Sequence, residues 1–141
     1  MSRADQHRRV ATALYDPFVS LRKDASRRVE AVPRLRFVRG AVIILGPGKA
    51  DLLEAIERAG SVRAAASALG MSYMRAWSLV RVVNTEFRSP LVRLERGGSA
   101  HGGASLTPLG RRVARLYREM ERAALDAVVP GLTQLRKELK R

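Results

Sequence analysis

The sequence predicts a mainly α fold with small β elements, and three observations predict it. Apolar residues recur at helical spacing over several stretches, the longest of them following Pro108. The periodic run Val62, Ala65, Ala66, Leu69 is followed at once by Gly70, so a short helix stops there and a second one starts close behind. Short β-branched runs, 35–39 with 41–45 and 91–96 with 104–106, read as strand pairs before and after those helices.

Composition narrows the class. A chain of 141 residues is one domain, or one domain with tails. With 46% apolar residues but 5% aromatic ones, the core must be built mostly from Ala, Val and Leu. The excess of 27 Lys+Arg over 13 Asp+Glu gives a formal charge of +14, which favours a polyanionic partner because each neutralised phosphate releases condensed counterions. Charge alone does not separate DNA from RNA or from an acidic membrane surface. There is no Cys, which excludes disulfides, thiol catalysis and cysteine-ligated metals. No apolar run approaches the ~20 residues of a membrane span, and the N-terminus lacks the apolar segment of a secretory signal. A cytoplasmic location without membrane contact is expected.

Catalytic chemistry is not visible. No Ser/His/Asp or Cys/His arrangement occurs, and His7 and His101 have no paired ligand spacing around them. The run Gly46-Pro47-Gly48-Lys49 lacks the spacing of a phosphate loop, with Ala50 where a hydroxyl would bind magnesium. No catalytic residue, metal or cofactor is expected, and the chain reads as a non-enzyme.

Residues 1–34 are basic and irregular, interrupted by Pro17 and Pro33, with a short helix conceivable over 8–15. They read either as an arm following a phosphate backbone or entering a minor groove, or as a solvated extension. The strands 35–39 and 41–45 turn at Arg39-Gly40. Leu52, Leu53, Ile56 and Ala59 then mark a helix beginning near Lys49 and stopped by Gly60. Ser72 reads as the N-cap of a further helix. Tyr73, Ala76, Trp77, Val80, Val83 and Phe87 share one side of it, and Met74, Arg75, Ser78, Arg81 and Thr85 the other. Two short helices joined by a glycine-bearing turn, the second basic and hydroxyl-rich outside, form the pattern of a helix-turn-helix.

The same residues carry a family resemblance. Gly60-Ser61-Val62, Ala64-Ala65-Ala66, Gly70-Met71-Ser72-Tyr73, Ala76-Trp77 and Asn84 resemble the N-terminal DNA-binding domain of ModE-type molybdate-responsive regulators. More distantly, they are similar to the winged helix-turn-helix of LysR-type regulators. The resemblance runs from about residue 35 to about residue 117 and includes Pro90-Leu91-Val92, Glu95-Arg96-Gly97-Gly98 and Leu106-Thr107-x-x-Gly110. It implies a winged helix-turn-helix with an N-terminal β-hairpin. Regulators of this type carry C-terminal molybdate-binding modules, which these 141 residues do not include, so the resemblance implies that metal-oxyanion sensing resides on a separate effector-sensing protein or is missing.

In such a motif the second helix enters the major groove of double-stranded DNA, its N-terminal residues nearest the bases. That places Ser72, Tyr73, Met74, Arg75 and Ser78 at the reading surface, with Arg75 suited to a bidentate contact with guanine and Met74 to a thymine methyl. Ser61 and Arg63 are placed to hold phosphate, with nonspecific attraction from Arg81 and Arg96. Trp77 reads as core, or as a donor to the DNA backbone. Gly97, Gly98, Ser99 and His101 lie in the glycine-rich loop 97–103 where a wing belongs, against a mobile hairpin tip as the alternative. This loop departs from the ModE-type pattern, because Ser99-Ala100-His101 interrupts the glycines and no lysine is present.

Thr107-Pro108 is a capping residue followed by proline at the first helical position. From there Leu109, Val113, Leu116, Tyr117, Met120 and Ala124, continuing to Ala127 and Val128, form an apolar stripe, with Arg111, Arg115, Arg118 and Arg122 on another. So small a domain leaves part of that stripe for a homodimer; the alternative folds it wholly onto the domain. Pro130-Gly131 is expected to stop this helix, with a short basic helix over 132–139. The organisation expected is an extension at 1–34, a winged helix-turn-helix at 35–106 and a dimerising helical segment at 107–141. The function expected is sequence-specific transcriptional regulation. The alternatives are an architectural DNA-coating protein of weak sequence preference, or an adaptor acting through residues 109–128.

Overall fold

The computed structural model describes residues 29–96 and 102–140; the possible helix at 8–15, most of the basic arm and the loop tip at 97–101 lie outside them. The order is β1 (Phe37–Arg39), β2 (Val42–Leu45), α1 (Pro47–Ala59), α2 (Val62–Leu69), α3 (Tyr73–Glu86), β3 (Val92–Leu94), β4 (Ala104–Leu106) and α4 (Pro108–Glu138). The fold is therefore mainly α with two small antiparallel strand pairs, β1 with β2 and β3 with β4. In the first, Phe37 pairs with Leu45 but Val38 with Ile43, so a bulge separates Phe37 from Val38 and turns the strand.

Local chemistry fixes the helix boundaries. α1 begins at Pro47 rather than near Lys49, because proline at the first helical position needs no N–H partner. Ser61 and Ser72 cap α2 and α3, their hydroxyls accepting from Ala64 N–H at 3.0 Å and Arg75 N–H at 3.1 Å. Gly70 closes α2 at φ 65°, the left-handed conformation a side chain would strain. Thr107 caps α4 by accepting from Gly110 N–H at 3.0 Å, while its own hydroxyl donates to Pro90 O at 2.8 Å.

The core lies where α1, α2 and α3 meet under the second hairpin and the first turns of α4. Leu52, Leu53, Ile56, Ala65, Ala66, Ala76, Val80 and Val83 fill it, as the helical spacing predicts. Asn84 fastens α3 to β3: its amide donates to Val92 O at 3.0 Å, and its carbonyl accepts from Leu91 and Val92 N–H at 3.0 and 2.9 Å. Glu57 fastens α1 to β4 and α4, accepting from Leu106 N–H at 3.1 Å and from Arg111 at 2.7 Å. Gly110 packs on the Leu91 carbonyl, with no room for a Cβ.

α4 corrects two expectations. Its helix does not stop at Pro130-Gly131 but runs through both to Glu138, so no separate helix covers 132–139. Pro130 removes one N–H from an exposed turn, where water can satisfy the carbonyl left behind, and the continuation is tied down when Arg136 donates to Val29 O at 2.7 and 3.0 Å. The second correction concerns Tyr117 and Val113, expected on a dimer surface. Tyr117 is 0% exposed and Val113 is buried, both against the chain's own core. The Tyr117 ring packs edge-on against Phe37 with centroids 6.3 Å apart, so this part of the stripe is spent on the first hairpin.

Candidate nucleic-acid interface

α3 divides into two faces. Ala76, Val80 and Val83 are buried, with Trp77 half-buried against the core. On the opposite side Met74, Ser78, Arg81 and Thr85 follow one another at i, i+4, i+7 and i+11 and are all exposed, as is Arg75. Met74 is 77% exposed, an unbranched apolar side chain presented to solvent where burial would favour it. Arg75 and Arg81 make no ion pair among the described residues.

The hydroxyls on this face are partly engaged. Ser78 donates weakly to Met74 O at 3.4 Å, and Thr85 donates to Arg81 O at 2.9 Å, the usual recourse of a hydroxyl within a helix. Ser61 and Ser72 use their oxygens as caps but keep their O–H groups, so each still has one donor to offer an anion.

An aromatic ladder organises the end of the face. Tyr73 stands edge-on to Trp77 at 5.9 Å, and the Arg63 guanidinium lies over the Tyr73 ring, 4.3 Å from its centroid. Tyr73 was expected both in the apolar stripe and at the reading surface. It sits at the border of the two, one face covered by Arg63, a contact that restricts the long side chain from α2. Arg63 is thereby held beside the start of α3 instead of sampling solvent.

Lys49 is a cation that sequence reasoning left aside. Burial first, and the nearby positive charge of Arg75 second, lower its pKa from the ordinary lysine value. Two cations are thus kept close together across α1 and α3. The signal was present in the sequence, since a lysine in the first turn of a helix opposes the helix dipole and has to gain elsewhere.

Arg96 is exposed at the end of β3, while Gly97, Gly98, Ser99 and His101 fall outside the described residues. At the base of that loop Glu95 N–H donates to Gly103 O at 2.8 Å, and Ala104 N–H donates to Gly60 O at 2.8 Å, which docks the hairpin on the α1–α2 turn. Of the residues expected to dimerise, Leu116 and Met120 are exposed, Ala124 is half-buried, and Leu109 packs partly against the core. No helix among the described residues is long and apolar enough to cross a membrane.

Fold and site together define a small, strongly basic helical domain that presents one cationic helix face beside a hairpin. Its sequence is similar to that of the molybdenum transport protein ModE of Azotobacter vinelandii, 40% identical over 87 residues, covering 60% of this chain and 32% of that one. The molybdenum-pterin-binding protein MopB of Rhodobacter capsulatus is 40% identical over 91 residues, 61% of this chain and 34% of its own. The DNA-binding transcriptional dual regulator ModE of Escherichia coli K12 is 37% identical over 71 residues, 50% and 27% of the two chains. This chain therefore spans about a third or less of the relatives it matches. No family model matches it.

Proposed function

We propose that this chain is a sequence-specific, ModE-like transcriptional regulator that binds double-stranded DNA through α3 as a winged helix-turn-helix. The observation that carries the reading is the outward face of α3, where Met74, Arg75, Ser78 and Arg81 stand exposed opposite the buried Ala76, Val80 and Val83. Side chains at this spacing can follow the floor of a major groove, with Arg75 offering two parallel donors to guanine. Arg63, Ser61 and Lys49 act on phosphates flanking the site, and the loop 97–103 with Arg96 acts as the wing. The unit that binds DNA is residues 35–106. A homodimer forms through the segment 107–141, on Leu116, Met120 and Ala124, without Val113 and Tyr117. The similarity to a regulator named as DNA-binding supports this reading.

The test is selection of bound fragments from genomic DNA, followed by affinity measurements on the selected and a random duplex at physiological salt. A regulator gives a ratio of at least ~10³ between them, whereas an architectural protein gives a ratio near one. Arg75→Ala should collapse that ratio, and Arg63→Ala should weaken both duplexes alike. A uniform loss from both variants would remove α3 from the reading role. Light scattering on the free chain separates a homodimer from a monomer that serves as an adaptor.

A further inference from the structure

Away from the reading face, the C-terminal end of α3, strand β3 and the start of α4 enclose an open cleft of about 600 Å³. Arg88, Arg93 and Arg112 line it, one from each of these three places, and no acidic residue does. None of the three arginines makes an ion pair or hydrogen bond among the described residues. Elsewhere in the chain Arg39, Arg111 and Arg118 each meet a carboxylate at 3.2 Å or less. The contrast matters, because three arginines without ion pairs around one concavity set up a positive field that an anion can neutralise.

We propose that this cleft is a binding site for a phosphate-type oxyanion. Each guanidinium presents up to five N–H donors in a fixed plane, which suits the oxygens of a tetrahedral anion better than a single carboxylate. The arginines supply most of those donors, and the exposed Ser89 hydroxyl adds one more. Asn84 also lines the cleft but has both ends of its amide engaged with β3. At the α4 terminus Pro108 has no N–H and the Gly110 N–H is taken by Thr107, which leaves the Leu109 N–H as the one donor of that first turn beside the cleft. Leu94, 43% exposed, and the half-buried Leu109 give the cleft an apolar side, so an anion carrying an organic body also fits. The anion comes either from a DNA backbone passing beyond the end of α3 or from a small phosphorylated molecule. The site does not depend on α3 reading DNA.

The experiment is a titration of the full chain with inorganic pyrophosphate at constant ionic strength, followed in ¹H–¹⁵N spectra that resolve the arginine Nε–H groups, and repeated on the R93Q/R112Q double variant. Because both side chains are exposed and without ion pairs, the variant keeps its melting temperature. Saturable shifts at Arg88, Arg93 and Arg112, with affinity lowered about 10-fold or more in the variant, support the site. A random duplex then identifies the source: displacement of pyrophosphate, with a salt slope about 2 units shallower in the variant, assigns the site to the DNA backbone. Simultaneous binding with an unchanged slope assigns it to a free phosphorylated ligand. The absence of saturable pyrophosphate binding, or equal binding by the variant, overturns the proposal.

Discussion

The Tyr117 hydroxyl donates to the Leu35 carbonyl at 3.0 Å across 82 positions of sequence, joining the long last helix to the segment that leads into the first hairpin. Burial, and next the nearby Glu121 carboxylate, push its pKa up to about 12. A phenol whose folded pKa is raised contributes stability that is fully present below its ordinary value near 10 and is lost as pH rises through 12. In an absorbance titration the Tyr117 phenol should therefore ionise near pH 12, together with loss of helical circular dichroism. Tyr117→Phe should keep the ring packing on Phe37 and cost about 1 kcal/mol in urea unfolding.

Arg118 answers three carboxylates at once, Asp51 at 2.7 Å, Glu54 at 2.9 Å and Glu121 at 2.7 Å, and its side chain is 27% exposed. Burial works to discharge it, but the hydrogen bonds it donates to Glu54, Glu121 and Asp51 outweigh burial, and its pKa rises. Arg118→Met would leave the three acids facing one another without a cation. Stability should fall by about 2–4 kcal/mol at neutral pH, and the deficit should shrink in acid as the carboxylates protonate. Equal deficits at pH 7 and pH 3 would show that lost packing, not charge, is responsible.

Two glycines of α4 should respond in opposite directions. At Gly110 a Cβ would collide with the Leu91 carbonyl oxygen, so Gly110→Ala must push α4 away from the hairpin and should cost about 3 kcal/mol or more. At Gly131 nothing lies within 4 Å of a Cβ, and the position is exposed within the helix. There Gly131→Ala should stabilise by about 0.5–1 kcal/mol, read as a raised melting temperature.

Acid should loosen the second hairpin before the rest. Hydrogen bonds from Arg111 and Leu106 hold the Glu57 pKa below its ordinary value. A depressed carboxylate pKa gives stability that is present above the ordinary value near 4.5 and is lost as pH falls through the folded one. Amide exchange at Leu106 should accelerate below pH 4.5 ahead of exchange in α1, and Glu57→Gln should remove that pH dependence.

Where one residue and its near neighbours decide the structure, the sequence could be read directly. The caps at Ser72 and Thr107, the stop at Gly70 and the buried stripe of α3 are of this kind, while the cap at Ser61 emerges only in the structure. Arg118 could not be read so, because Glu54 and Asp51 lie 64 and 67 positions away and the residue looks like one member of an arginine stripe. Tyr117 was misassigned for the same reason, its partners being in the first hairpin. Pro130 shows the converse error: a local helix breaker was tolerated because its turn is exposed and a distant carbonyl, Val29 O, holds the continuation. The exposure of Arg75 and Met74 on the outer side of α3 was legible from spacing, whereas the influence of Arg75 on Lys49 depends on how α1 crosses α3.

A helix that passes uninterrupted through Pro130 acts as a lever whose fulcrum is Tyr117. Only Gly110, Val113, Ala114 and Tyr117 of α4 are buried, so the arm beyond them, at 1.5 Å per residue, reaches roughly 30 Å to Glu138. A tilt of about 10° at the fulcrum swings its far end by about 5 Å. Whatever grips the outer arm thereby gains leverage over how the first turns of α4 sit on α1 and β4.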